Sequence, residues 1–127
     1  MNSGSALGPL ARVELPCRDP RRLRDFYGRI LGLPLSAGDS SLRFSLGVVE
    51  LVLRQRGDVL FPFGQSDAGI LLAFPIADAE LDRLYRRMLT LRVAVLDAPG
   101  PTGAPPRLLR LSDPEGNVVE LFAAPAG

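Results

Sequence analysis

Two glutamates stand in the same local sequence. Glu50 sits in Val48-Val49-Glu50-Leu51, and Glu120 sits in Val118-Val119-Glu120-Leu121. A carboxylate can accept a proton, return one, ligate a metal or hold a cation, so this repeated pair is the first place to look for chemistry. If residues 11–17 form a strand, Arg12 and Glu14 share one of its faces and join the charged set. What is absent narrows the options. The chain has no histidine, and all 15 of its basic residues are arginine, so imidazole catalysis and a lysine Schiff base are both excluded. Cys17 is the single cysteine. With no histidine to activate it, and with the strand parity of Val13 and Leu15, it reads as a small buried apolar residue. No glycine-rich phosphate loop and no Ser-His-Asp set can be assembled.

The elements that must position these residues also come twice. Pro16-Cys17-Arg18-Asp19 followed by Phe26 returns as Pro75-Ile76-Ala77-Asp78 followed by Tyr85. Together with the repeated Val-Val-Glu-Leu, this implies an internal duplication that sets equivalent residues around one shared site. Residues 11–17 alternate as a strand. Asp19 caps a helix that starts at Pro20, carries Leu23, Phe26, Tyr27, Ile30 and Leu31 inward, and stops at Gly32. A short strand is expected within residues 33–37, then strands over 41–46 and 48–54 turning at Gly47. In the second half, residues 70–76 are strand and Asp78 caps a helix through Leu81, Leu84, Tyr85, Met88 and Leu89. Strands follow at 93–96, 107–111 and 118–123, the last two joined by the turn Asp113-Pro114-Glu115-Gly116-Asn117. The pattern is βαβββ, twice. It predicts a tail at 1–10, a first module at 11–56, a connector at 57–68 and a second module at 69–124. The connector carries Val59-Leu60-Phe61-Pro62-Phe63, too apolar for a solvated linker.

Bulk properties exclude several classes. A formal net charge of +1 gives no electrostatic reason to seek a nucleic acid or an anionic membrane. Arg21, Arg22, Arg24 and Arg29 are interleaved with Asp19 and Asp25 and read as a solvated helix face. One cysteine cannot form an internal disulfide, residues 1–10 lack signal-peptide features, and no apolar run is long enough to span a bilayer. A cytoplasmic location is the expectation.

Arg18-Asp19, Phe26-Tyr27 and Leu31-Gly32-Leu33 resemble the opening signature of the vicinal oxygen chelate superfamily, which comprises glyoxalase, bleomycin-resistance and extradiol-dioxygenase proteins. Residues 112–121, Ser-Asp-Pro-Glu-Gly-Asn-Val-Val-Glu-Leu, resemble its closing signature. The resemblance covers residues 11–122. It implies an α+β fold in which two βαβββ modules form a curled mixed sheet around a concave cleft. It also implies a metal position there, with ligands from the first and last strands of each module. At those positions this chain offers Arg12 and Glu50, then Leu71 and Glu120. An arginine is a permanent cation and a leucine donates nothing, so no metal and no cofactor are expected.

Two readings of the charged set stand side by side. Arg12 lies across the cleft floor as an ion-pair partner of Glu50 and Glu120, or these groups recognise a ligand. Crowding Glu14, Glu50 and Glu120 should raise at least one carboxyl pKa. Phe44, Phe61, Phe63 and Phe122 are the expected walls, and Arg12, Glu14, Glu50 and Glu120 the polar anchors. The resemblance to the bleomycin-resistance branch suggests a metal-free protein that binds a small apolar or aromatic organic molecule, cationic ones included, and serves antibiotic resistance. The alternative is an enzyme, lyase, isomerase or dioxygenase-like, with Glu50 and Glu120 as acid and base or as ligands of an atypical metal. A homodimer is expected because residues 70–74 are apolar on both faces of their strand.

Overall fold

The computed structural model describes residues 6–36, 42–57 and 69–124, and it divides into two compact units, Met1–Gln65 and Ser66–Gly127. The first unit contains β1 (Arg12–Cys17), α1 (Pro20–Asp25), a π-helical turn (Phe26–Ile30), β2 (Arg43–Leu46) and β3 (Val49–Gln55). The sheet order is β1-β3-β2, with β1 parallel and β2 antiparallel to β3. Period-two alternation sorts the side chains. Leu15, Cys17, Leu51, Leu53 and Phe44 turn to the helix side and are buried there with Leu23, Phe26 and Tyr27. Arg12, Glu14, Arg43, Glu50 and Arg54 fall on the opposite face, because the register pairs Arg12 with Glu50 and Ser45 with Glu50.

Asp19 caps α1 as its sequence suggests, its Oδ1 accepting from the Arg22 amide at 3.2 Å, with Pro20 in the first turn. The single helix expected up to Gly32 is interrupted. After Asp25 the backbone widens, and the Leu31 amide donates to the Phe26 carbonyl, five residues back, at 3.0 Å. The adjacent aromatics Phe26 and Tyr27 are both buried in this wider turn. Their rings meet edge-on at 5.1 Å, and Tyr27 meets Phe44 at 6.4 Å. Gly32, at φ +79°, then ends the segment. The short strand expected within 33–37 is reduced to one bridge, Leu35 with Phe44. Pro34 offers no ladder donor, and only its carbonyl takes part, accepting from the Ser45 amide at 3.0 Å.

The second unit contains β4 (Leu71–Ile76), α2 (Asp78–Thr90), β5 (Ala94–Asp97), β6 (Leu108–Ser112) and β7 (Val118–Ala123) in sheet order β4-β7-β6-β5. Strand β4 runs parallel to β7, and the other pairs are antiparallel. Leu81 and Met88 of α2 are buried with Leu109, Leu111, Val119 and Leu121. Each unit is thus a mixed, open sheet with its helix on one face, and the fold is α+β with the βαβββ plan in both halves. Residues 1–5, and 58–68 of the expected connector, lie outside the described residues.

The closing turn is a fastening. Asp113 and Asn117 are buried. Asp113 Oδ1 accepts from the amides of Glu115 and Asn117 at 2.8 and 2.9 Å, and its Oδ2 accepts from Asn117 Nδ2 at 2.9 Å. Asn117 Oδ1 accepts in turn from the Ile70 amide at 3.1 Å, which ties the β6–β7 hairpin to the start of β4. The residues that make this motif recognisable hold the sheet together.

Candidate functional site

On the polar face of the first sheet, Glu14 lies between two arginines. Arg12 Nε is 2.8 Å from its carboxylate, and Arg54 donates a short hydrogen bond to it. The Arg54 hydrogen bond, aided by the Arg54 and Arg12 charges, holds the Glu14 carboxyl below its ordinary pKa despite partial desolvation. The expectation that crowding raises at least one of Glu14, Glu50 and Glu120 is not met at Glu14, because its neighbours are guanidiniums rather than carboxylates. Glu50 receives Arg43 Nη1 at 3.1 Å. The pairing expected between Arg12 and Glu50 is therefore corrected too. The two residues are register partners across β1 and β3, but Arg12 bonds to Glu14 on its own strand, and its side chain is 53% exposed.

The second sheet repeats the arrangement with its own arginine. Arg110 Nε donates to Glu120 at 2.9 Å, and Arg110 Nη1 donates to Asp97 at 2.9 Å. A register shift between Val95 and Asp97 sets Asp97 opposite Arg110. Arg43 and Arg110 are the site residues the sequence reading missed. The signal was available: Arg43-Phe44-Ser45 precedes the first Val-Val-Glu-Leu, and Arg110-Leu111-Ser112 precedes the second. The loop between the two motifs is longer in the second half, which hid the match.

Of the expected walls, Phe122 shares the face of Glu120, two residues further along β7, about 7 Å away at strand spacing. It lines an open groove of about 520 Å³ with Leu108, Pro105, Pro106 and Ala123, and Asp78 and Arg107 supply its polar groups. Phe44 is a correction. It is fully buried on the helix side, in register with Leu51, while Glu50 points to the other face. Phe61 and Phe63 lie outside the described residues. Asp78 is also corrected. Ala77 occupies the N-cap position, and Asp78 is the first residue of α2. Its carboxylate accepts from Arg107 Nη1 at 2.7 Å, while Asp82, one turn on, accepts from Nη2 at 2.7 Å. The Arg107 side chain is only 4% exposed. A buried guanidinium needs counter-charges, and these two aspartates keep its pKa above the ordinary arginine value. Cys17 is buried, its thiol directed at the Arg54 carbonyl at 3.6 Å.

The metal that the fold implies does not fit these side chains. Arg12 is a cation at one strand-start position, and Leu71 at the other has no donor atom. Strand register sets Ala73, not Leu71, opposite Glu120, and alanine donates nothing either. Glu50 and Glu120 are each engaged by a guanidinium. Among the described residues no three His, Cys, Asp or Glu side chains come together as a ligand set.

Residues 10–121 match the Glyoxalase/Bleomycin resistance protein/Dioxygenase superfamily, and the chain belongs to it. No curated protein matches the chain. Among solved structures it is similar to TnmS3, an antibiotic binding protein from Streptomyces sp. CB03234, at 25% identity and a TM-score of 0.71, over 95% of this chain and 99% of that one. It is similar in fold to a lactoylglutathione lyase from Agrobacterium tumefaciens, at 21% identity and a TM-score of 0.70, over 94% and 96% of the two chains. A glyoxalase/bleomycin resistance protein/dioxygenase from Nocardioides is similar at 21% identity and a TM-score of 0.73, over 98% and 89%.

Proposed function

We propose that this chain binds a small apolar or aromatic organic molecule, cationic ones included, without a metal, and that it acts by holding its ligand. The groove beside Phe122 carries the reading. Leu108, Pro105, Pro106 and Phe122 offer apolar walls, and Asp78 adds a carboxylate at the same surface. Asp78 and Asp82 together outweigh Arg107 by one negative charge, which favours an amine over a carboxylate. The similarity to an antibiotic binding protein agrees with this class of ligand. We further propose a cytoplasmic homodimer that serves antibiotic resistance.

Calorimetric titration with 1-naphthylmethylamine tests the reading. Binding should survive EDTA and weaken about tenfold or more in Phe122→Ala, since stacking and apolar contact are lost together. Absence of binding, or binding indifferent to Phe122, overturns it.

A further inference from the structure

Several arginines of the first unit are paired with carboxylates, and others are not. Arg12, Arg43 and Arg54 are held by carboxylates on the sheet, and Arg29 is locked to Asp25 at 2.7 Å. Arg21 and Arg24 are not held. Among the described residues, neither makes an ion pair or a side-chain hydrogen bond. They lie three apart at the start of the first helical segment, so their side chains emerge about 5–6 Å from each other on one face. Two surface grooves meet at this pair. One, of about 640 Å³, is lined by Arg18, Asp19, Pro20, Leu42 and Gln55 besides them. The other, of about 350 Å³, adds Asp25, Gly28, Arg29, Leu33 and Leu35. Asp19 and Asp25 line the grooves too, the first accepting from the Arg22 amide and the second holding Arg29, but Arg18, Arg21, Arg24 and Arg29 outnumber them and leave the lining net positive.

We infer that this double groove is a second binding site, separate from the one beside Phe122, for a small organic phosphate. Two adjacent guanidiniums with no partner can each present a planar pair of donors to phosphoryl oxygens. The larger groove has the volume of a site for a small molecule, and Pro20 and Leu42 give the organic part an apolar surface. A bare charge cluster would bind any polyanion, whereas a groove with an apolar side selects an ester over the inorganic ion.

The probe is 1-naphthyl phosphate, followed by its own fluorescence anisotropy, with inorganic phosphate and 1-naphthol as competitors. The expected result is saturable one-to-one binding, weaker competition by inorganic phosphate, and little by 1-naphthol. Arg21→Gln with Arg24→Gln should weaken binding at least tenfold and leave the thermal melt unchanged, because both side chains lack partners. Arg83→Gln with Arg86→Gln removes the same charge from the second unit and should leave binding intact. Equal loss in both double variants assigns the binding to net charge and overturns the site. A single-stranded RNA that binds a hundredfold more tightly than the probe through Arg21 and Arg24 also overturns it, in favour of nucleic acid. Failure of 1-naphthylmethylamine at the Phe122 groove would leave this result untouched.

Discussion

At the scale of single residues, the charged face of the first sheet works as a set of engaged pairs. Glu14 is the most heavily partnered carboxylate there, and its pKa lies below its ordinary 4.5, chiefly through the Arg54 hydrogen bond. A depressed folded-state pKa means the charged form is favoured by folding. The resulting stability is present above the unfolded pKa and is lost as pH falls through the folded value. Glu14→Gln should therefore melt below wild type at pH 7, and the difference should close at a pH well under 4.5. Thermal melts of both proteins across that range check the sign; a gap that widens in acid contradicts it. Asp113 gives a different kind of prediction. It is buried and accepts three hydrogen bonds, from two backbone amides and the Asn117 side chain. Asp113→Ala leaves those donors without their acceptor inside the fold and should cost roughly 2–4 kcal/mol in a denaturant titration. A loss under about 1 kcal/mol would mean that water replaces the carboxylate, and that the turn is held by its glycine and proline instead.

Elements explain what was and was not legible. The strands were readable because apolar and polar residues alternate in β1, and because turn residues bracket β6 and β7. The repeated Val-Val-Glu-Leu placed both central strands. The π-helical turn was not readable: Leu23, Phe26, Tyr27, Ile30 and Leu31 fit an unbroken α-helix as well, and nothing in their spacing marks where the backbone widens. Phe44 went to the wrong face because its strand starts at Arg43, so its parity depends on a register with β3 that a single strand does not display. The Arg43–Glu50 and Arg110–Glu120 pairs were hidden for a related reason, since each joins two strands. Two glycines test the packing of these elements. A Cβ on Gly28 would meet Phe44 Cε1 at 3.4 Å, an ordinary contact. A Cβ on Gly69 would meet Asn117 Oδ1 at 3.1 Å and the Gly116 carbonyl at 3.2 Å, inside the buried fastening. Gly28→Ala should therefore change stability by less than about 1 kcal/mol, with the gain in helix propensity offsetting any crowding. Gly69→Ala should cost about 1–3 kcal/mol through overpacking. Chemical denaturation of the two variants decides it, and the reverse order would show that the Asn117 contact yields more easily than the Phe44 ring.

For the whole molecule, the duplication matters most where the halves differ. Each half keeps its glutamate and its arginine, but the strand-start partner is Arg12 in one and an apolar residue in the other. The charges follow. On the polar face of the first sheet, Arg12, Arg43 and Arg54 outnumber Glu14 and Glu50; on the second, Asp97 and Glu120 outnumber Arg110. The second sheet also leaves apolar surface uncovered. Strand β4 is an edge strand, Leu71 is 51% exposed, and Ala73 and Pro75 are exposed on the same face. An apolar edge strand is a ready surface for a second copy of the chain. The expected state is a homodimer that covers this strand. Leu71→Glu would place a charge in that contact, where burying it without a partner is costly, and should shift the protein to monomer. Because Leu71 is exposed within its own chain, the same change should leave the monomer folded. Light scattering with sedimentation at micromolar concentration measures the outcome, and circular dichroism verifies folding. A wild-type monomer refutes the dimer, and a dimer unaffected by Leu71→Glu moves the contact elsewhere.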